Sequence, residues 1–321
     1  MNTPGLLGID VNDAKRRTQW GQWAARLVVI FIGIVIANFL VTNPNFEWDV
    51  VWDWFRAPSV ARGLWTTVWL AAVSMVIGVV LGVLLAVAKM STNKLLSGAA
   101  GIYIWLFRGT PVLVQLILWF NLAALLPVLS FGVPFGGPKL IEMSTNSLIT
   151  PLSAAILGLA LNEAAYMAEI VRGGLLSVDP GQREAANAFG MTYGQTLSRV
   201  VLPQAMRAII PPTGNQLISM VKATSQVSVI AMSDILYTVQ SVYNRTFETI
   251  PLLIVAVIWY LIITSILNVI QEFIEDYYAR GQRVESGLPG TVRKIVRWAR
   301  KNRQAKTSKP VSNTKGANTD V

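Results

Sequence analysis

The sequence predicts an all-α integral membrane protein with about six transmembrane helices, and three observations carry that expectation. The 321-residue chain is 53% hydrophobic and only 14% charged, with a mean hydropathy of +0.49, which is too apolar for a soluble domain of this length. Its apolar residues gather in long runs nearly free of charge, each close to or above the roughly 20 residues that a helix needs to cross the hydrocarbon. Its 27 Lys and Arg residues are spread unevenly among the connections between those runs.

The runs lie near 23–42, 64–88, 99–127, 148–171, 212–235 and 252–275. The first follows a Lys15-Arg16-Arg17 cluster, yet a long polar stretch precedes it and no small-x-small cleavage site follows Ala37, so it reads as a retained anchor packed outside the other runs. Between the first two runs, 43–60 mixes tryptophans with acidic residues, which suits either anchoring at the headgroups or contact with a soluble partner. The third run is over-long and is interrupted by Arg108-Gly109-Thr110-Pro111, predicting a kink or a partly interfacial segment. From Pro127 to Ser147, with Pro134, Gly136, Gly137 and Pro138, the chain reads as an irregular surface connection. The fifth run opens on Pro211-Pro212. Beyond the sixth, 281–321 turns to Lys, Arg, Ser, Thr and Asn, predicting a basic amphipathic helix near 291–301 on the inner leaflet and then disorder.

Six crossings put both ends of the chain on one side. Placing them in the cytoplasm leaves only Arg56, Arg62, Lys139 and Arg245 outside and Lys222 within a run, as the positive-inside rule requires. The net charge of +10 is then accounted for by basic flanks beside anionic lipid, with no nucleic acid needed. The sequence contains no Cys and no His, which excludes disulfides, thiolate and imidazole catalysis and Cys or His metal sites. No G-x-x-x-x-G-K-[ST] cradle is present, so any nucleotide is hydrolysed by another polypeptide.

The most distinctive stretch is polar. Asp179-Pro180-Gly181-Gln182 reads as a helix start, with aspartate as the cap, proline in the first turn and glutamine placed to close a capping box. The helix that follows carries Glu184, Ala185 and Ala186, the two alanines small enough to let another protein approach. Gly190 supplies a left-handed bend, Thr192 caps a second short helix, and Pro203 after Leu202 ends it.

Glu184-Ala185-Ala186, three residues, Gly190, nine residues, then Val200-x-Leu202-Pro203 resembles the EAA loop of bacterial ABC-importer membrane subunits, with valine where isoleucine is commoner. LFRGTPVLVQ at 106–115, LNEAAYMAEIVRGGLLSVDPGQ at 161–182 and LPQAMRAIIPPTGNQLISMVKATSQVSVI at 202–230 are similar to its polar amino acid branch. The resemblance covers about residues 60–280. It implies a type I importer (MetI-like) permease core of five helices plus an extra N-terminal helix, in a multi-pass cell-membrane protein that is not an enzyme and has no cofactor of its own. It also implies cytoplasmic ATPase subunits that use ATP, a second permease subunit, like or unlike, and an exterior solute-binding protein. On this reading the chain divides into a cytoplasmic 1–22, an anchor and exterior loop 23–60, a permease domain 61–280 with the EAA loop at 184–203, and a basic tail 281–321. Glu184 would anchor the loop in a groove on the ATPase, Ala185 and Ala186 would permit close contact, and Gly190 would hold the bend.

Ionisable and polar residues inside the runs point to the pathway, because lipid burial is costly for them. Gln115, Asn162, Glu163, Tyr166, Lys222, Thr224 and Ser225 are the candidates. Asn162, Tyr166 and Glu169 recur at helical spacing and can line a polar cavity that grips an amino acid. Glu163 either binds the solute or pairs with Lys222 or Arg108 to lock helices. Relatives often carry Lys-Asp-Thr-Ser-Leu where this chain has Lys222-Ala223-Thr224-Ser225-Gln226. An ATP-independent secondary transporter or channel is the alternative reading.

Overall fold

The computed structural model describes residues 20–132 and 139–279. The expected tail helix near 291–301 and the cytoplasmic start lie outside them, except for residues 20–22. Two compact units divide at Asp49 and Val50.

The first unit is built on α1 (Trp20–Thr42), a helix whose side chains are exposed and apolar all round, as for a lipid-facing span. A short 3₁₀ turn, Pro44–Phe46, follows, capped by the Asn43 side chain. The Trp48 indole N–H donates to the Leu40 carbonyl at 2.8 Å, tying this turn back onto the helix end.

The second unit begins within α2 (Trp48–Phe55) and continues through α3 (Pro58–Lys89), α4 (Lys94–Gly109), α5 (Val112–Phe120) and α6 (Leu122–Leu125). The hairpin of β1 (Val128–Gly132) and β2 (Lys139–Ser144) leads into α7 (Thr145–Leu148), α8 (Pro151–Leu176), α9 (Pro180–Ala188) and α10 (Tyr193–Thr196). After a π-helical turn, Leu197–Val201, come α11 (Leu202–Ala223), a 3₁₀ stretch Thr224–Ile230, α12 (Ile235–Thr246) and α13 (Thr249–Ala279). The starts are set locally. Asn93 caps α4, Thr150 and Ser153 form a capping box ahead of α8, and Asp234 caps α12 through the Tyr237 amide.

Among the described residues, α1, α3, α8 and α13 are each long and apolar enough to span a membrane, and α4 and α5 together are long and apolar enough for one more broken span or a re-entrant loop, with a bend of 103° between them. The bend falls at the Arg108-Gly109-Thr110-Pro111 interruption expected in the run at 99–127, and there it separates two helices. Pro111 forces Thr110 into extended geometry and cannot donate to the preceding turn, so the chain leaves α4 at a corner. The run at 212–235 is corrected. Its helix starts ten residues earlier, at Leu202, passes through Pro211 and Pro212, and gives way to 3₁₀ geometry at Thr224. Side-chain donors gather on the carbonyls around the two prolines: Thr213 Oγ1 donates to Ile209 O and Gln271 Nε2 to Pro211 O, each at 2.8 Å. The connection after Pro127 is more ordered than expected, because Val128–Phe131 pairs antiparallel with Ile141–Ser144.

The spine of the second unit is the α3–α8 contact, the most extensive in the fold. Gly82 makes it possible. A methyl there would stand 2.5 Å from Met167 Cβ and 3.0 Å from the Ala164 carbonyl oxygen, backbone that cannot yield. Gly82→Ala is therefore expected to cost about 1–3 kcal/mol, read as a lower melting temperature of the detergent-purified protein. Around this spine, Leu70, Leu116, Leu159 and Ile230 form the central cluster, while Val60, Ile235, Val239 and Leu252 close one end of the unit.

Candidate functional site

The polar stretch after α8 folds into a rigid elbow. Asp179 Oδ1 accepts from the Gly181 amide at 2.7 Å with Pro180 in the first turn, as the sequence predicts. Gln182 does not close the capping box. Its Oε1 instead accepts from Gln204 Nε2 of α11 at 3.4 Å, because the folded elbow brings the start of α11 beside α9. At the other end of α9, Gly190 has φ +73° and its amide donates to Asn187 O at 2.9 Å, while Met191 N–H reaches back to Ala186 O at 3.1 Å. This pair of bonds is the Schellman motif, which needs the left-handed residue that Gly190 provides. Thr192 then starts α10 with a reciprocal box to Gln195.

Pro203 does not end the second helix. The π turn Leu197–Val201 runs straight into α11, and Pro203 sits in the first turn, where a missing amide costs least. Pro203 thus links the elbow to a 22-residue helix without a flexible joint. Glu184, Ala185, Leu202 and Pro203 lie on the exposed surface, but Ala186 is buried within the elbow. Only Ala185 of the two alanines faces outward. Sequence reasoning missed the most exposed apolar groups here, Phe189 at 88% and Tyr193 at 82%. Two aromatics four residues apart in a polar stretch were the available signal.

Inside the helical core, the predicted pathway residues separate into two groups. Gln115 and Asn162 hold the corner between α4 and α5. Gln115 Nε2 donates to Phe107 O (3.0 Å), Thr110 O (3.1 Å) and Thr110 Oγ1 (2.7 Å), and Asn162 Nδ2 donates to Phe107 O (2.9 Å) and Gln115 Oε1 (3.3 Å). One turn along α8, Tyr166 is 37% exposed with the Arg108 guanidinium 5.3 Å from its ring centre. Glu169 pairs with Arg172 at 2.6 Å.

Glu163 points elsewhere. It is 5% exposed, its stem lies against Gly78 of α3, and Gln216 of α11 is its polar neighbour. Its Oε1 has no hydrogen-bond partner among the described residues, and no ion pair joins it to Lys222 or Arg108. Lys222 is exposed on α11, on the same helical face as Asn215 and Ser219. Thr224 and Ser225 spend their hydroxyls on local carbonyls, Val221 O and Lys222 O, each at 2.7 Å. Among the described residues, no cluster of three or more Asp or Glu side chains gathers to hold a metal.

Residues 78–281, more than half of the chain, match the family described as "Binding-protein-dependent transport system inner membrane component". The chain belongs to that family. The permease is 39% identical to an arginine transport system permease protein of Corynebacterium glutamicum, over 90% of this chain and 94% of that one. It is 31% identical to the glutamine transport system permease protein of Escherichia coli, over 72% and 97%. A crystal structure of an amino acid ABC transporter with histidines matches with a TM-score of 0.57 at 34% identity, covering 68% of this chain and 93% of the other. An inward-facing methionine ABC transporter superposes with a TM-score of 0.52 at 21% identity and supports the fold alone. The permease is therefore an integral membrane ABC-importer subunit with a MetI-like core, a transport component and not an enzyme. The matched residues 78–281 include the elbow at 184–203 and the polar helices around 162–225.

Proposed function

We propose that this permease forms the membrane pathway for polar amino acids and couples it, through the elbow at 184–203, to a separate cytoplasmic ATPase. The observation that carries the reading is the elbow itself: a left-handed turn at Gly190 with Phe189 and Tyr193 projecting, joined through the first turn of α11 to a helix that also neighbours Glu163. Such a joint transmits a push as a rigid tilt instead of absorbing it. Glu184 and Ala185 meet the ATPase, and Leu202 and Pro203 pass the motion to α11.

Gln115, Asn162, Tyr166 and Arg108 form one polar wall, and the Asn215, Ser219 and Lys222 face of α11 needs a polar neighbour at membrane depth. A second permease subunit across a central pathway supplies it. Glu163 receives the solute ammonium. An exterior binding protein delivers the solute, and both chain ends lie in the cytoplasm, with 1–22, 23–60, 61–280 and 281–321 as successive regions of a cell-membrane protein. The relatives named for arginine and glutamine favour amino acids.

Reconstitution tests this reading. Radiolabelled arginine and glutamine uptake into proteoliposomes is expected only when the ATPase, ATP and binding protein are all supplied. Uptake that persists without the ATPase would favour a secondary transporter or channel.

A further inference from the structure

Behind the elbow lies a hollow of about 270 Å³ that opens to solvent among α9, α10 and the ends of α3 and α8. Its apolar floor includes Leu175 and Val201, and its polar wall is formed by Arg183, Asn187 and Thr196. No carboxylate lines it. Tyr193, the exposed aromatic of the elbow, stands at its rim. Arg183 is placed rigidly, because its Nη2 donates to Leu175 O at the end of α8 at 2.9 Å. Thr196 is 6% exposed, and its hydroxyl has no partner among the described residues.

A buried hydroxyl without a partner carries a desolvation cost that an apolar residue of the same shape would avoid. In the wall of an open hollow that a fixed guanidinium also lines, that cost is offset once an acceptor enters. Arginine, an amide and a hydroxyl around an apolar floor select an anionic acceptor on a short apolar stem, and the absence of a lining acid leaves an ammonium group unmatched.

We propose that this hollow is a socket for an Asp or Glu side chain presented by the partner ATPase. The carboxylate would accept from Arg183 and Thr196, with Phe189 and Tyr193 packed against the surface around it. The socket rests on the coupling role proposed for the elbow. It adds a key entering the permease, and so a second point of grip that resists sliding along the groove.

Thr196→Val separates this from a structural role, because the two give opposite signs. Valine keeps the shape and removes the unpartnered hydroxyl, so the permease alone should melt at the same or a higher temperature. Its affinity for the cognate ATPase, measured by titration into nanodiscs, should weaken about tenfold, as for one hydrogen bond to a charged acceptor. Arg183→Gln should weaken binding at least as much, and Arg183→Glu more. Unchanged affinity in Thr196→Val and Arg183→Gln would overturn the socket. Thermal stabilisation of the isolated wild-type permease, and not of Arg183→Gln, by millimolar acetate would support the carboxylate selectivity of the socket. The chain has no cysteine, so Phe189→Cys crosslinking to the ATPase reports on the elbow separately. Crosslinks with unchanged affinities would sink the socket alone, whereas no crosslinks would sink the coupling role as well.

Discussion

Gly190→Val is expected to abolish most binding-protein-driven uptake while leaving the permease inserted in the membrane and the ATPase still able to turn over ATP. The reason is local. Gly190 sits at φ +73°, and a Cβ at this position would meet nothing within 4 Å, so the requirement for glycine is one of backbone conformation and not of space. A non-glycine residue held left-handed costs about 1–2 kcal/mol, and a β-branched one more. The chain relieves that strain by abandoning the turn. The Asn187 and Ala186 carbonyls then lose their partners, α9 no longer meets α10 at a fixed angle, and Phe189 and Tyr193 leave their common surface. The transmembrane core clusters involve none of these groups, so insertion and span packing should survive. Gly190→Asn is the control, because asparagine tolerates left-handed geometry better than other residues, and it should recover a substantial part of uptake. Uptake and ATP hydrolysis measured together in proteoliposomes check this. Equal uptake in wild type and Gly190→Val would remove the elbow from the coupling path.

Much of the elbow was legible because its signals are local. The Asp179 cap, the turn at Gly190 and the Thr192 cap are decided by residues within a few positions of one another. The spans were legible for a similar reason, since hydropathy over one window reports one helix. Angles and partners were not. The 103° corner at Thr110 and Pro111 changes no residue's hydropathy, and Gln115 and Asn162 are 47 residues apart, so nothing in either neighbourhood shows that they close one hydrogen-bonded corner. Pro203 misled because proline follows helices and also opens them. The π turn before it, which lets the chain run on, ends at Val201, a residue buried in a cluster with Met167 and Val171 of α8 that no local pattern reveals. The strands of the β1–β2 hairpin are short and lie beside a Gly- and Pro-rich connection, which concealed their β-branched and aromatic residues.

Glu163→Gln is the second variant with a large expected effect. Gln is nearly isosteric, so the contact with Gly78 and the side-chain volume between α3 and α8 are kept. What changes is charge. A buried carboxyl with one oxygen unpartnered carries a desolvation cost, largest in its ionised form, so its replacement should leave the thermal stability and subunit assembly of the complex unchanged or improved. If Glu163 receives the ammonium or cationic side chain of the solute, uptake should fall by about tenfold, equivalent to about 1.4 kcal/mol, with a larger loss for arginine than for glutamine. The exposed Lys222 and Arg108 would remain to meet the solute carboxylate, so binding should be impaired asymmetrically and not abolished. The measurement is a pair of uptake curves with a parallel melting scan of the purified complex. A complex that fails to assemble, or melts well below wild type, would show that the carboxylate holds helices together. Equal losses for arginine and glutamine in a stable complex would show that it acts in the conformational cycle without selecting the solute.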